Sequence, residues 1–500
     1  MCVGASGCRS GICAQPCATT LECPSSAGCY VFESIGQNAV AVTQGYCLAI
    51  CSDDIDCQAQ LCDADLQACV SAALQYDLGS PRLQNDTTCS KVPEAAEGEG
   101  RFTTPSALTE TGEIYVFGPA VALDPVDPDI RYVAYNSLAG TELSVSRDAG
   151  ASWTRVPMSP AGPRYNIGDP GLAVDPDTRE AWHSFLTVPQ MECLLDETTD
   201  FANSVAITSS QDLGQTWSAP VPIDVGRYAD RYFIDRPAIA VRGGAVSVTF
   251  VAVPADIDEL QTDVAYARSH DAGATWATST VSSADRNVLR RAPAISVTPE
   301  NAVHLAWFEK DSVEAHRGSV WAARSLDDGK TFVEQKISGD LLAREDGPSL
   351  AWSARDQSLF VVFGASLAGL AAEDVYLAAS VDGGRTFEPP QRLAHLCGSA
   401  WSPTAVVDAA GNLWAIWYQA SLGRSRVAWL KAAEPLALGS SMIGVVSGTL
   451  SPFTMSRSPL VSLGDFVGLG SSNGVTVAAW TSIHDDPLGG VIYTSASDAR

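Results

Sequence analysis

The chain is short of positive charge. Its 500 residues include 31 Lys and Arg against 58 Asp and Glu, a formal net charge of −27. Nucleic acid is excluded as a partner, because its binding rests on basic surface. The acidity fits a protein whose own repulsion disfavours self-association, so a monomer is expected. Long apolar runs are missing too, and no stretch approaches the roughly 18 apolar residues of a membrane span. Histidine is scarce, with 6 in all and none before residue 183. At Met1-Cys2 neither a basic segment nor an apolar one opens the chain. The expectation is that an export signal lies upstream or that this is an excised piece.

Cysteine is abundant only at one end. Of 14 cysteines, 12 precede residue 90. They form two similar runs, Cys13, Cys17, Cys23, Cys29 and then Cys47, Cys51, Cys57, Cys62, followed by Cys69. Without nearby histidine or close Cys-x2-Cys pairs, the runs favour disulfides over zinc. Residues 1–70 are therefore read as two small disulfide-stapled modules, too short to hold a core unaided. Such density implies an oxidising compartment, hence an extracellular or cell-surface location. Asn85-Asp86-Thr87 is a glycosylation sequon. Residues 71–111, with Lys91-Val92-Pro93-Glu94-Ala95-Ala96-Glu97-Gly98-Glu99-Gly100, are polar, aperiodic and read as a linker.

From residue 112 the chain repeats. The pattern Ser-x-Asp-x-Gly-x-Ser/Thr-Trp/Phe occurs five times. Its positions are Asp148, Gly150 and Trp153; Asp212, Gly214 and Trp217; Asp271, Gly273 and Trp276; Asp327, Gly329 and Phe332; and Asp382, Gly384 and Phe387. An Asp that accepts backbone N–H groups, a Gly at positive φ and flanking hydroxyls describe a tight turn. The aromatic then fills the space between neighbouring sheets. Nothing in the turn calls for catalysis.

Between the turns lie short apolar strands, most of them led by Pro: Gly118-Pro119, Asp169-Pro170, Arg236-Pro237, Ala292-Pro293, Gly347-Pro348 and Ser402-Pro403. A further leading strand, Gly464-Asp465-Phe466-Val467-Gly468, lacks the Pro. Four short strands in roughly 50 residues is the spacing of propeller blades. The predicted fold is all-β, a seven-bladed β-propeller of four-stranded blades over residues 112–500. Six blades is the alternative if the last unit is incomplete. The sixth unit has lost its Asp turn near Arg426-Val427-Ala428-Trp429. The last unit stops short of a fourth strand, and Gly112–Phe117 is expected to supply it and close the ring.

The turns resemble the Asp boxes, or BNR repeats, of bacterial sialidases and sialidase-like propellers. Gly464-Asp465-Phe466-Val467-Gly468-Leu469 with Ala478-Ala479-Trp480 is similar to the closing segment of their secreted, exo-α-sialidase-like subgroup. The resemblance covers residues 112–500. It implies action on, or recognition of, extracellular glycans or glycoproteins, with retaining hydrolysis if the protein is an enzyme. Sialidases clamp a sugar carboxylate with three arginines and use a Tyr–Glu pair as nucleophile and an Asp as acid/base. The family's Arg-Ile-Pro stretch has no counterpart here; Arg101-Phe102-Thr103-Thr104-Pro105 and Ile130-Arg131-Tyr132 stand in its place. The head resembles short cysteine-rich spacer or adhesive segments of secreted and surface bacterial proteins.

The face opposite the turns is where a site is expected. Its loops carry Arg164, Tyr165 and Asp169; Arg231, Tyr232, Asp235 and Arg236; Arg291; Arg344, Glu345 and Asp346; then Trp401, Arg457 and Asp465. A funnel lined by arginines, carboxylates and tyrosines suits an acidic or hydroxyl-rich ligand. By the resemblance, Arg236, Arg291 and Arg344 would bind a carboxylate. Asp169 or Asp235 would be the acid/base, and Tyr165 or Tyr232 with Glu345 the nucleophile pair. The competing reading is that Arg and Asp at these entries pair with each other and hold the ring. No cofactor or metal is expected. The acidic loop of Asp256, Asp258, Glu259 and Asp263 is weighed for calcium, but it lacks a spaced motif and reads as solvated. Cys193 and Cys397 bridge across the site face or stay as free thiols.

Overall fold

The structure is a computed structural model. It describes residues 102–110, 116–157, 164–189, 203–229, 232–254, 262–282, 288–311, 317–344, 346–366, 373–396, 399–421, 424–436, 441–447, 450–452, 466–482 and 490–497, with seven strands of two to nine residues in the first 70 residues. The cysteine pairing expected in the head lies outside the described residues, as do Cys193, Cys397 and the loop from Asp256 to Glu259.

The chain is all-β. Among the described residues there is no α-helix, only a 3-10 turn at Gly226–Tyr228, and no helix is long and apolar enough to cross a membrane. Consecutive strands pair as antiparallel four-stranded units. The first consists of Phe117–Leu123, Arg131–Ser137, Gly140–Ser146 and Thr154–Val156. Later units are led by Tyr165–Val174, Tyr232–Arg242, Leu289–Val297, Ser349–Ser353, Ser399–Val407 and Gly468–Ser472. A short strand, Leu342–Arg344, pairs with both the fourth and the fifth unit and joins them into one sheet.

Second strands are buried over most or all of their length, fully so in Ala181–Val188 and Val303–Lys310. Both of their faces meet other sheets, which is why they read as continuous apolar runs rather than alternating ones. One core, for instance, packs Trp182, Ile207, Ile239, Val248 and Phe250 from the second and third units. Leading strands from every unit line a single central cavity. Strand order together with this common axis makes the molecule a β-propeller.

The last unit is closed by the start of the propeller, but not by the expected strand. Ser106–Ala107 pairs with Val491–Ala496, placing Ala107 opposite Tyr493 and Ser106 opposite Thr494. Phe102 forms an isolated bridge with Ser497 and packs edge-on against Trp414 and Trp429, at 5.8 and 5.9 Å. Residues 111–115 lie outside the described residues, and Phe117 belongs to the first leading strand. The closing strand thus comes from the segment read as linker.

All five turns share one hydrogen-bond plan. In the first, Ser146 Oγ donates to Asp148 Oδ1 at 2.8 Å and accepts from Gly150 N at 2.8 Å, while Ser152 N and Oγ donate to the carboxylate at 2.8 and 2.6 Å. Asp212, Asp271, Asp327 and Asp382 repeat it. The glycine is left-handed as expected, and so is the residue before it: Ala149, Leu213, Ala272, Asp328 and Gly383 have φ of 60, 62, 57, 66 and 71°. The aromatics fill the seams, with Trp217 at 6.1 Å from Tyr132 and Phe332 at 5.5 Å from Tyr266.

Candidate ligand-binding site

The central cavity has a volume of about 300 Å³. It is built by one local device used repeatedly. Most leading strands with a Pro bulge beside it, and the register slips in the second, third, fourth and sixth units between Gly168 and Gly171, Asp235 and Ala238, Arg291 and Ala294, and Trp401 and Thr404. The pre-proline residues are all left-handed: Gly118, Asp169, Arg236, Ala292, Gly347 and Ser402 have φ of 63, 56, 49, 49, 90 and 50°. A proline ordinarily keeps its predecessor extended. A non-glycine residue held left-handed costs on the order of 1–3 kcal/mol, and such strain gathers at functional sites.

Bonds between units hold the bulges. Gly118 N donates to Thr481 Oγ1 at 3.3 Å, Asp169 N to Asn136 Oδ1 at 2.9 Å and Arg236 N to Asp169 Oδ2 at 3.2 Å. Ser402 N donates to Asp346 Oδ2. In each case the acceptor belongs to the preceding unit. The guanidinium carbon of Arg236 lies 5.1 Å from the ring centroid of Phe466, a cation–π contact that holds the charge over the cavity. The leading strands of the fourth and fifth units lie close together, since a Cβ on Gly347 would come within 2.3 Å of Ala292 Cβ.

Of the expected residues, Asp169, Arg236 and Asp346 line this cavity. Others go elsewhere. Tyr232 packs against Tyr228, ring centroids 5.0 Å apart, because an aromatic on a leading strand is drawn into the core between units. Trp401 is likewise buried, stacked on Tyr418 at 5.4 Å. Arg164 bonds to Thr187 within its own unit, through Nε to Oγ1 and Nη2 to the carbonyl, both 3.0 Å, and burial lowers its pKa. Tyr165 stands 51% exposed. Asp235 pairs with Val251 in the ladder, and Arg291 with Phe308; both are half-buried outside the cavity wall. Arg231, Glu345, Arg457, Asp465 and the side chain of Arg344 lie outside the described residues. Asp263 of the acidic loop is engaged by Arg227 Nη2 at 2.6 Å and by the Tyr228 hydroxyl at 3.2 Å.

The reading of the loops missed Asn136, Ser402, Phe466 and Thr481. Ser402 was legible in principle, since aligning the leading strands on their prolines puts Ser402 in the same column as Asp169 and Arg236. Asn136 and Thr481 sit on second strands and carry no local signal.

At these entries an acidic and a basic residue of neighbouring units do meet. Asp169 accepts the backbone N–H of Arg236 through Oδ2. The two carboxylates brace the ring, and Arg236 and Ser402 both line the cavity. One cation, hydroxyls and apolar proline walls suit a monosaccharide-sized ligand with hydroxyl and acidic groups.

No family model and no curated protein matches the chain. Among solved structures it is similar to a protein of unknown function from Dyadobacter fermentans DSM 18053, 12% identical, covering 81% of this chain and 100% of that one, with a TM-score of 0.49. It is also similar to the Hadza microbial sialidase Hz136 (13% identity, 82% and 95% coverage, TM-score 0.43). A third is the Penicillium chrysogenum alpha-L-arabinanase complexed with arabinobiose (14%, 65% and 97%, 0.45). At TM-scores below 0.5 these likenesses carry no inference about this chain.

Proposed function

We propose that this is a secreted or surface-attached, sialidase-like propeller that recognises an acidic or hydroxyl-rich extracellular glycan in its central cavity. In this reading the propeller has seven blades, and the disulfide-stapled head acts as a spacer or adhesion module. The observation that carries the function is the meeting of Arg236, stacked on Phe466, with Asp169, Asp346 and Ser402 in one cavity. Binding is favoured over hydrolysis because Asp169 and Asp346 each give a carboxylate oxygen to a neighbouring unit's backbone N–H. That bond ties each carboxylate to the ring and limits its freedom to move a proton to and from a substrate.

Titration of the intact, oxidised protein with sialylated and neutral oligosaccharides tests the proposal. Arg236→Gln should weaken binding of an acidic glycan at least tenfold while leaving the fold intact. Absence of binding to either class overturns the reading. Turnover of a fluorogenic sialoside by the wild type, lost in Asp169→Asn, would replace recognition with hydrolysis.

A further inference from the structure

Beneath the glycines of the Asp turns, one junction differs from the others. Gly214 closes over Tyr132 and Val145, Gly273 over Ile207, Gly329 over Tyr266 and Gly384 over His304. Each of these is a side chain of the preceding unit. Gly150 lies instead over Arg131 of its own unit, whose Nη1 is 3.1 Å from where a Cβ would stand. Arg131 sits across the ladder from the turn serine Ser146. At the same register the other turn-bearing units have Ala181, Val246, Val303 and Leu359, all buried and apolar. A cation has taken an apolar position, and it has done so where the first unit meets the last.

Arg131 is 6% exposed. Its Nε donates to the Pro128 carbonyl at 3.1 Å. Among the described residues its terminal nitrogens have neither a hydrogen-bond acceptor nor an ion-pair partner. Burial lowers its pKa against the pull of the Asp129 and Asp148 carboxylates, which act on it from beyond bonding distance. It lines a cavity of about 320 Å³, walled also by Gly150, Thr103, Thr104, Thr494 and Ser497. Part of this hydroxyl lining joins the closing segment to the last unit: Ser495 Oγ donates to the Thr103 carbonyl at 2.6 Å, and the Ser106 and Thr494 hydroxyls are 3.3 Å apart.

A buried guanidinium without a carboxylate at bonding distance is costly, and its planar fork matches an oxyanion. We propose that this cavity is an oxyanion site, where Arg131 and the hydroxyls around it hold the sulfate, phosphate or carboxylate group of a small ligand. A ligand held there touches the closing segment, the last unit and the first turn, so it staples the ring where the chain's two ends meet. The site is separate from the central cavity.

The test is titration of the full chain with sodium sulfate at constant ionic strength, followed by calorimetry and thermal unfolding, with sodium acetate as the carboxylate arm. The expected result is one saturable site for either anion and a Tm rise of a few degrees, since a ligand that binds only the folded state stabilises it. Arg131→Gln should abolish the response, and Arg355→Gln, at an exposed arginine outside both cavities, should leave it intact. Should Arg131→Gln fail to fold, Thr104→Val keeps the cation and should weaken binding severalfold. No saturable site for either anion overturns the proposal, as does unchanged affinity in Arg131→Gln or, if that variant does not fold, in Thr104→Val.

Discussion

The two faces of the propeller repeat in different ways. On the turn face both backbone and side chains recur, so that Asp148, Asp212, Asp271, Asp327 and Asp382 accept the same bonds. Around the central cavity only the backbone recurs. Asp169, Arg236, Ala292 and Ser402 share a left-handed pre-proline conformation but share no chemistry. A position whose side chain is fixed by its own turn cannot vary without loss of that turn. One whose conformation is fixed by the bulge and a bond to the preceding unit is free to carry an acid, a base, a hydroxyl or nothing. The turn face is scaffold, and the cavity ring is where one fold can be given different ligands.

The largest losses should come at the turn glycines and at the seam. Removing residues 1–110 takes away Phe102 and the closing strand, and should abolish cooperative unfolding. Removal of residues 1–99 should leave it unchanged in a thermal melt followed by circular dichroism. Gly329→Ala combines positive φ with a Cβ 2.0 Å from the Tyr266 ring. It should destabilise by several kcal/mol, on the order of 3, measured by denaturant unfolding. Equal tolerance of Gly329→Ala and of Arg236→Gln would erase the distinction between the faces.

Acid should act on the turn side in two stages. His304 lies stacked on Trp352 beneath Gly384, with both ring nitrogens buried and without a hydrogen-bond partner. Burial and then Arg324 push its pKa down to about 4. His183, bonded to Thr141 and the Gly171 carbonyl, is pushed down to about 4 by burial. The unfolded chain takes up these protons near pH 6.5, so stability present above that pH falls until about pH 4, by on the order of 3 kcal/mol per histidine. His304→Phe should remove its share, seen as a smaller Tm drop between pH 7 and 4.5. Below that, hydrogen bonds from Ser152, Thr216, Thr275 and Thr331 hold Asp148, Asp212, Asp271 and Asp327 down to about 2. Their contribution should persist to about pH 4 and disappear through pH 2.

The smallest effect should have the opposite sign. Ala292→Gly relieves a left-handed pre-proline residue and should raise stability by about 0.5–1 kcal/mol once the unfolded-state entropy of glycine is counted. Ala294→Gly, two residues on in the ladder, should lower it. If both variants lose stability alike in denaturant titrations, the cavity ring is not strained.

Sequence made the scaffold legible because Asp, Gly and aromatic each leave a local signature. It could not show the left-handed ring, since a proline argues for an extended neighbour and only bonds between units, such as Asp169 N to Asn136, override it. Ser106–Ala107 was hidden because a two-residue polar strand has no periodicity, whereas the apolar Gly112–Phe117 has the look of one. Asp169, Arg236 and Asp346 reached the cavity because they border the bulges. Tyr232 and Trp401 did not, because large aromatics on inner strands gain more by burial between units. Arg131 stood in Ile130-Arg131-Tyr132 and was compared only with the arginine of a family motif. Its anomaly appears once its cross-strand register is set beside Ala181, Val246, Val303 and Leu359.

The closing strand also dictates an order of events in time. Thr103 and Ser495, joined by a hydrogen bond, are 392 residues apart, so the pairing on which closure depends is among the most non-local in the molecule. Each unit can form from its own neighbouring hairpins, but the last must wait for a segment made near the beginning and kept available throughout synthesis. Contacts this distant slow folding, because chain entropy is spent before they are made. Joining residue 500 to residue 102 by a short linker and opening the chain between two middle units would turn that slow encounter into a local one. Such a permutant should reach the same ring faster, with its final step moved to the new ends.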